Sequence, residues 1–190
     1  MLRVLIAYGT SEGQTGRIAE YLANVIRSHG YQAFPVDVER ANAPPPDGYD
    51  AVIVGASIHM GKHERNVVHY VRRNRATLER LPSAFFSVSL AARDNTDEAH
   101  KEVEGYIEKF IQQTGWRPLM VGLFAGALLY TQYGFFTRWI MRKIARDKGS
   151  PDTDTTRDYV YTDWDRVRCF AEDFLEAFVL EGAGGAGSRR

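Results

Sequence analysis

Short apolar runs punctuate the chain at Leu2–Tyr8, Ala51–Ala56, Ala84–Leu90 and Leu119–Ala125. Runs of this length, without regular polar alternation, suit strands buried on both faces of a parallel sheet. Gln32–Val38 is a weaker, edge-like candidate. Between these runs the apolar positions change to helical spacing: Ile18, Leu22 and Ile26; Val67, Val71 and Leu78; Val103, Tyr106, Ile107, Phe110 and Ile111. A last series, Trp164, Val167, Ala171, Phe174 and Phe178, closes the pattern. Strand and helix therefore alternate through most of the chain. The alternation predicts an α/β fold, with right-handed βαβ units wound into a doubly wound, five-stranded parallel sheet.

Two segments break the repeat. Ala43-Pro44-Pro45-Pro46 reads as a loop, whereas the insertion at about 127–163, before the last helix, is too long for an ordinary connection. One domain over residues 1–180 accounts for the rest, and the glycine-rich stretch 181–190 reads as a flexible tail. A chain of 190 residues, 44% hydrophobic, can bury one sizeable core. Pro118–Thr137 carries no formal charge for 20 residues, about the length of a membrane span. Pro118, Gly122, Gly126, Thr131, Gln132 and Gly134 interrupt it, so it reads as a strand followed by an aromatic, polar segment. The first apolar run stops too soon for a secretory signal and reads as a buried strand.

Charge adds little at the global level. The 24 basic and 24 acidic residues cancel, so nothing overall draws the chain to nucleic acid. The single cysteine, Cys169, excludes an intramolecular disulfide and any multi-cysteine metal centre, and it fits a reducing cytoplasm. No metal is expected, and a homo-oligomer is compatible with the sequence.

Candidate chemistry begins where the first strand ends. Thr10-Ser11-Glu12-Gly13-Gln14-Thr15 lies between that strand and an apolar helical stripe. Unpaired N–H groups and partial positive charge at a helix start can hold a phosphate without Lys or Arg. Thr10, Ser11 and Thr15 add hydroxyls, Gly13 permits close backbone approach and Gln14 adds an amide. Neither a Walker loop nor G-x-G-x-x-G is present. Thr10 or Ser11 could instead simply cap the helix. Position favours a ligand, because two other strand ends reach the same edge: Ser57-Ile58-His59-Met60-Gly61 and Ser87-Val88-Ser89-Leu90-Ala91-Ala92-Arg93.

With these residues in place the sequence resembles the flavodoxin superfamily, whose phosphate loop reads T-x-T-G-x-T. Thr10, Gly13 and Thr15 match, and Glu12 stands where the middle Thr would be. Gly55-Ala56-Ser57-Ile58, Pro82-Ser83-Ala84-Phe85-Phe86-Ser87-Val88, Ala125-Gly126-Ala127-Leu128 and Tyr161-Thr162-Asp163-Trp164 extend the likeness. Together these blocks resemble the bacterial quinone-dependent protoporphyrinogen oxidases. That resemblance implies FMN as cofactor, oxidation of protoporphyrinogen IX to protoporphyrin IX in haem synthesis, and a membrane quinone as electron acceptor. A flavodoxin electron carrier and an NAD(P)H:quinone reductase are the competing readings.

In such an enzyme the flavin supplies the redox chemistry and the protein positions it. No dedicated base stands out. His59 is either a proton acceptor or a histidine packed at the surface or on the flavin. Arg93 either pairs with a substrate propionate or is a solvated loop residue. Neither 57–61 nor 87–93 contains Trp, Tyr or Phe, which leaves one flavin face open for a large substrate.

Within the insertion, Phe136, Ile140 and Ile144 form one i,i+4 row, and Arg138, Arg142 and Arg146 form another about 200° away. Tyr130, Tyr133, Phe135 and Trp139 add aromatics, and Lys143 and Lys148 add charge. A basic, aromatic amphipathic segment suits an anionic membrane surface, so a cytoplasmic, peripherally attached protein is expected. Alternatively, its apolar row packs on the domain and its arginines face water.

Overall fold

The computed structural model describes residues 1–39, 43–128, 154 and 156–185. Five parallel strands form the centre: β1 (Arg3–Gly9), β2 (Gln32–Asp37), β3 (Ala51–His59), β5 (Ser83–Ser89) and β6 (Met120–Ala125), in the order β2-β1-β3-β5-β6. All five expected strands are present, and the weak Gln32–Val38 run is indeed an edge. Its Pro35 cannot donate to a ladder, which an edge strand tolerates.

The helices are α1 (Gln14–Ser28), α2 (Arg65–Arg80), α3 (Asp97–Thr114) and α4 (Trp164–Gly185). Ile18, Leu22 and Ile26 of α1 and Val167, Phe170 and Phe174 of α4 pack with Ile6, Ile53 and Phe86 on one sheet face. Val67, Val71 and Leu78 of α2 and Phe110 of α3 pack with Leu5, Val52 and Phe85 on the other. Each helical stripe read from the sequence thus has a sheet face to bury against. In the middle of β3, a Cβ at Gly55 would lie 2.0 Å from Cζ of the fully buried Phe86, so the ring occupies the space a side chain would need. Helix α4 continues to Gly185, into the stretch expected to be a flexible tail, since a glycine costs a helix only about 1 kcal/mol.

Three short strands escape periodicity. Strand β3 runs past Ala56 to His59 because β4 (Lys62–His63) folds back and pairs with it antiparallel. The expected insertion opens with β7 (Ala127–Leu128) and returns as β8 (Tyr159–Val160), which pairs antiparallel with β7. The Tyr161 amide then donates to the Gly126 carbonyl at 3.1 Å. Among the described residues, no helix is long and apolar enough to cross a membrane. The part of the uncharged Pro118–Thr137 stretch that is described contains β6 and β7.

Candidate cofactor site

The first loop is shaped by its own backbone. Thr10 Oγ1 accepts from the Gly13 amide at 2.8 Å, and Gly13 takes φ +86° with open space where a side chain would stand. The first helical bond runs from Arg17 N to the Gly13 carbonyl at 3.1 Å, and no side chain caps α1. The capping alternative therefore does not hold. The amides of Gln14, Thr15 and Gly16 precede that bond at the positive end of the helix dipole. Thr15 is 1% exposed, yet its hydroxyl has no hydrogen-bond partner. A buried polar atom left without a partner costs about 1–3 kcal/mol. An anionic oxygen at the helix start would satisfy the hydroxyl and these amides together.

Other loop residues serve the scaffold. Gln14 Nε2 donates to Thr162 Oγ1 at 2.8 Å, and its buried Oε1 is an acceptor, the wrong polarity for phosphate. Gln14 thus offers its backbone amide. The Ser11 amide donates to Ser57 Oγ at 3.4 Å, and the hydroxyls of Ser11 and Ser57 both donate to Glu64 Oε1. Glu64, just before α2, ties the first loop to the end of β3. No sequence motif marks it. Glu12 is half-buried in the same loop.

The second expected loop is a hairpin. Ser57, Ile58 and His59 belong to β3, and the turn is made by Met60 and Gly61, at φ +49° and +75°. Two consecutive positive φ values are the signature of a tight hairpin turn whose twist matches its strands. Met60, 89% exposed, makes an apolar tip. His59 is exposed, whereas His63 on the returning strand is buried. His63 Nε2 lies 2.9 Å from Ser87 Oγ, and its ring packs edge-on to Phe85 and Phe110. Burial lowers the His63 pKa from 6.5 to about 4, so the ring is neutral at physiological pH.

The third strand end places Ser87, Val88 and Ser89 inside the fold and exposes Leu90. Ser89 Oγ accepts from the Ala92 amide at 3.2 Å, which closes the turn Ala91–Arg93. Arg93 is not simply solvated: its Nε contacts Asp94 Oδ1 at 3.0 Å, and its guanidinium lies over the Tyr161 ring at 4.7 Å. Tyr161 and Thr162, just before α4, complete the edge. The Thr162 hydroxyl donates to the Ala125 carbonyl at 2.7 Å while accepting from Gln14. The expected loops do lack Trp, Tyr and Phe, but Tyr161 brings an aromatic ring beside one of them. The insertion candidates Tyr130, Tyr133, Phe135, Phe136, Arg138, Trp139, Arg142, Lys143 and Arg146 lie outside the described residues.

A strand order reversing at β1, with an uncapped helix start at that reversal, is the arrangement of open α/β sheets that bind ligands beyond their carboxyl ends. The flavodoxin domain family matches the chain over residues 5–155. The chain belongs to the flavodoxin domain family. A flavin is the cofactor that goes with that family. Among relatives, the protoporphyrinogen IX dehydrogenase (quinone) of Escherichia coli K12 is 36% identical over 172 residues, covering 90% of this chain and 94% of that protein. The Leishmania major protein of the same name is 38% identical over 173 residues, covering 90% and 74%. Flavodoxin 2 from Bacillus cereus superposes with a TM-score of 0.55 at 17% identity, covering 92% of this chain and 99% of that one. A short-chain flavodoxin associated with a PDU bacterial microcompartment gives 0.56 at 12% identity, covering 94% and 99%. These two likenesses concern the fold.

Proposed function

We propose that this chain is an FMN-dependent dehydrogenase that oxidises protoporphyrinogen IX to protoporphyrin IX and passes the electrons to a membrane quinone. The likeness to the named dehydrogenases, over nine-tenths of the chain, supports the substrate and acceptor. The observation that carries the cofactor is the uncapped start of α1 beside the buried, unpartnered Thr15 hydroxyl. Bound there, the flavin supplies hydride acceptance and electron transfer. The chain's own residues do the rest. The amides of Gln14, Thr15 and Gly16 and the Thr15 hydroxyl hold the phosphate, and Thr10 fixes the conformation of Gly13. Glu64 keeps Ser11 and Ser57 together, so the loop is organised before the phosphate arrives. The pyrrole proton passes to solvent or to the exposed His59.

The test is anaerobic turnover of protoporphyrinogen by FMN-loaded protein with and without a short-chain quinone, followed by porphyrin fluorescence. Quinone-dependent porphyrin formation is expected. Efficient flavin reduction by NAD(P)H without porphyrin formation would favour the nicotinamide-linked reading, and neither reaction would favour an electron carrier. Peripheral attachment to an anionic membrane through residues 130–146 belongs to the same proposal. Each cationic residue near such a surface contributes about 1 kcal/mol, so co-sedimentation with anionic liposomes is expected and should be reversed by salt. Lack of sedimentation at low salt would remove the membrane from the proposal.

A further inference from the structure

Beside the β3–β4 hairpin, helix α2 carries a cluster of side chains that the cofactor site does not use. Arg65, His69 and Arg72 of α2 fall at i, i+4 and i+7, on one helix face, and all are exposed. They form one wall of a groove of about 930 Å³. His59 and Lys62 of the hairpin and Gln113 of α3 complete its walls, with Val68 as apolar lining. The volume lies within the range of small-molecule sites. Surface cations are ordinarily interspersed with carboxylates. Here, Lys62, Arg65 and Arg72 have no ion-pair partner among the described residues. Glu64, the one carboxylate in the lining, accepts from the Ser11 and Ser57 hydroxyls. The charge lining the groove is therefore in excess positive, which suits an anionic ligand.

We propose that this groove holds the carboxylate arms of the tetrapyrrole, with Arg65 and Arg72 as their anchors; the inference rests on the function proposed above. A planar guanidinium matches a carboxylate in bidentate fashion, and a porphyrinogen bearing two propionates presents two such groups beside an apolar macrocycle. Arg65 and Arg72 stand about 10 Å apart along the helix axis, a separation their long side chains can close onto two neighbouring arms. The apolar Met60 tip rises beside the groove and offers the macrocycle a surface.

The test measures binding of mesoporphyrin IX, a redox-inert dicarboxylate, and of its dimethyl ester to the flavin-loaded full-length protein by fluorescence quenching. The Arg65→Ala, Arg72→Ala double variant should raise the Kd of the diacid at least about tenfold and leave ester binding unchanged. It should also raise KM for porphyrinogen while leaving flavin content and flavin reoxidation by quinone unaltered. Arg73→Ala, an exposed change on the same helix outside the groove, should leave all of these at the wild-type level. Unchanged diacid binding in the double variant overturns the proposal, as does equal weakening of diacid and ester. Loss of binding to anionic vesicles with porphyrin binding intact makes the groove a membrane contact and also overturns it. If the wild type turns over porphyrinogen while the double variant keeps its Kd and KM, the groove assignment alone fails. If the wild type neither binds porphyrin nor turns it over, the functional reading fails with it.

Discussion

Acidification should unfold this protein partly through one buried histidine. His63 is 7% exposed, and burial alone lowers its pKa to about 4, against 6.5 when free in the unfolded chain. As pH falls, the unfolded state takes up the proton first and the folded state resists until about pH 4. The unfolded state therefore binds more protons throughout that window, and stability drops as pH is lowered through it. A difference of this size corresponds to about 3 kcal/mol in all, of which about 2 kcal/mol is lost by about pH 5. Carboxylates titrate over part of the same range, so the contribution of His63 must be taken as a difference between two proteins. His63→Gln keeps a polar partner for Ser87 and removes the titration. Urea unfolding of wild type and variant at about pH 7 and about pH 5 should show the wild type losing about 2 kcal/mol more than the variant. Parallel losses would refute the reasoning and mean that His63 takes up its proton within the fold.

Three further outcomes follow from the site and the core. Thr15→Val should weaken FMN binding about tenfold while leaving the flavin-free protein as stable or slightly more so, because it removes an unpartnered buried hydroxyl; fluorescence titration and urea melts check both. Glu64→Ala frees the Ser11 and Ser57 hydroxyls and should slow flavin association and raise its Kd, read by stopped-flow fluorescence, with the far-ultraviolet spectrum unchanged. Gly55→Ala drives a Cβ into the Phe86 ring and should cost about 1–3 kcal/mol in chemical denaturation, without changing the bound flavin spectrum.

The central strands were legible because burial on both faces leaves continuous apolar runs, and the helices because each buries a single stripe. Strands β4, β7 and β8 were not, since two residues are too few to show a period. The first loop could be singled out as a candidate phosphate site because strand, small polar residues and helix start follow one another locally. The roles of Glu64, His63 and Thr162 escaped for the opposite reason. Each is a lone polar residue whose role depends on what the fold sets against it, Ser11 and Ser57 for one, Ser87 and Gln14 for the others. Arg93 shows the same limit, because its character is set by Asp94 and by a tyrosine nearly seventy positions away.

The short ribbon at the neck of the insertion is joined to a distant part of the chain. Its returning strand leads directly into Tyr161 and Thr162, and Thr162 is hydrogen-bonded to Gln14, the first residue of α1. A ligand that shifted this ribbon would shift that helix start with it, and a ligand held at the helix start would by linkage act back on the ribbon by the same factor. Under the function proposed above, lipid affinity and flavin affinity measured on the same preparation should shift together, and by equal ratios.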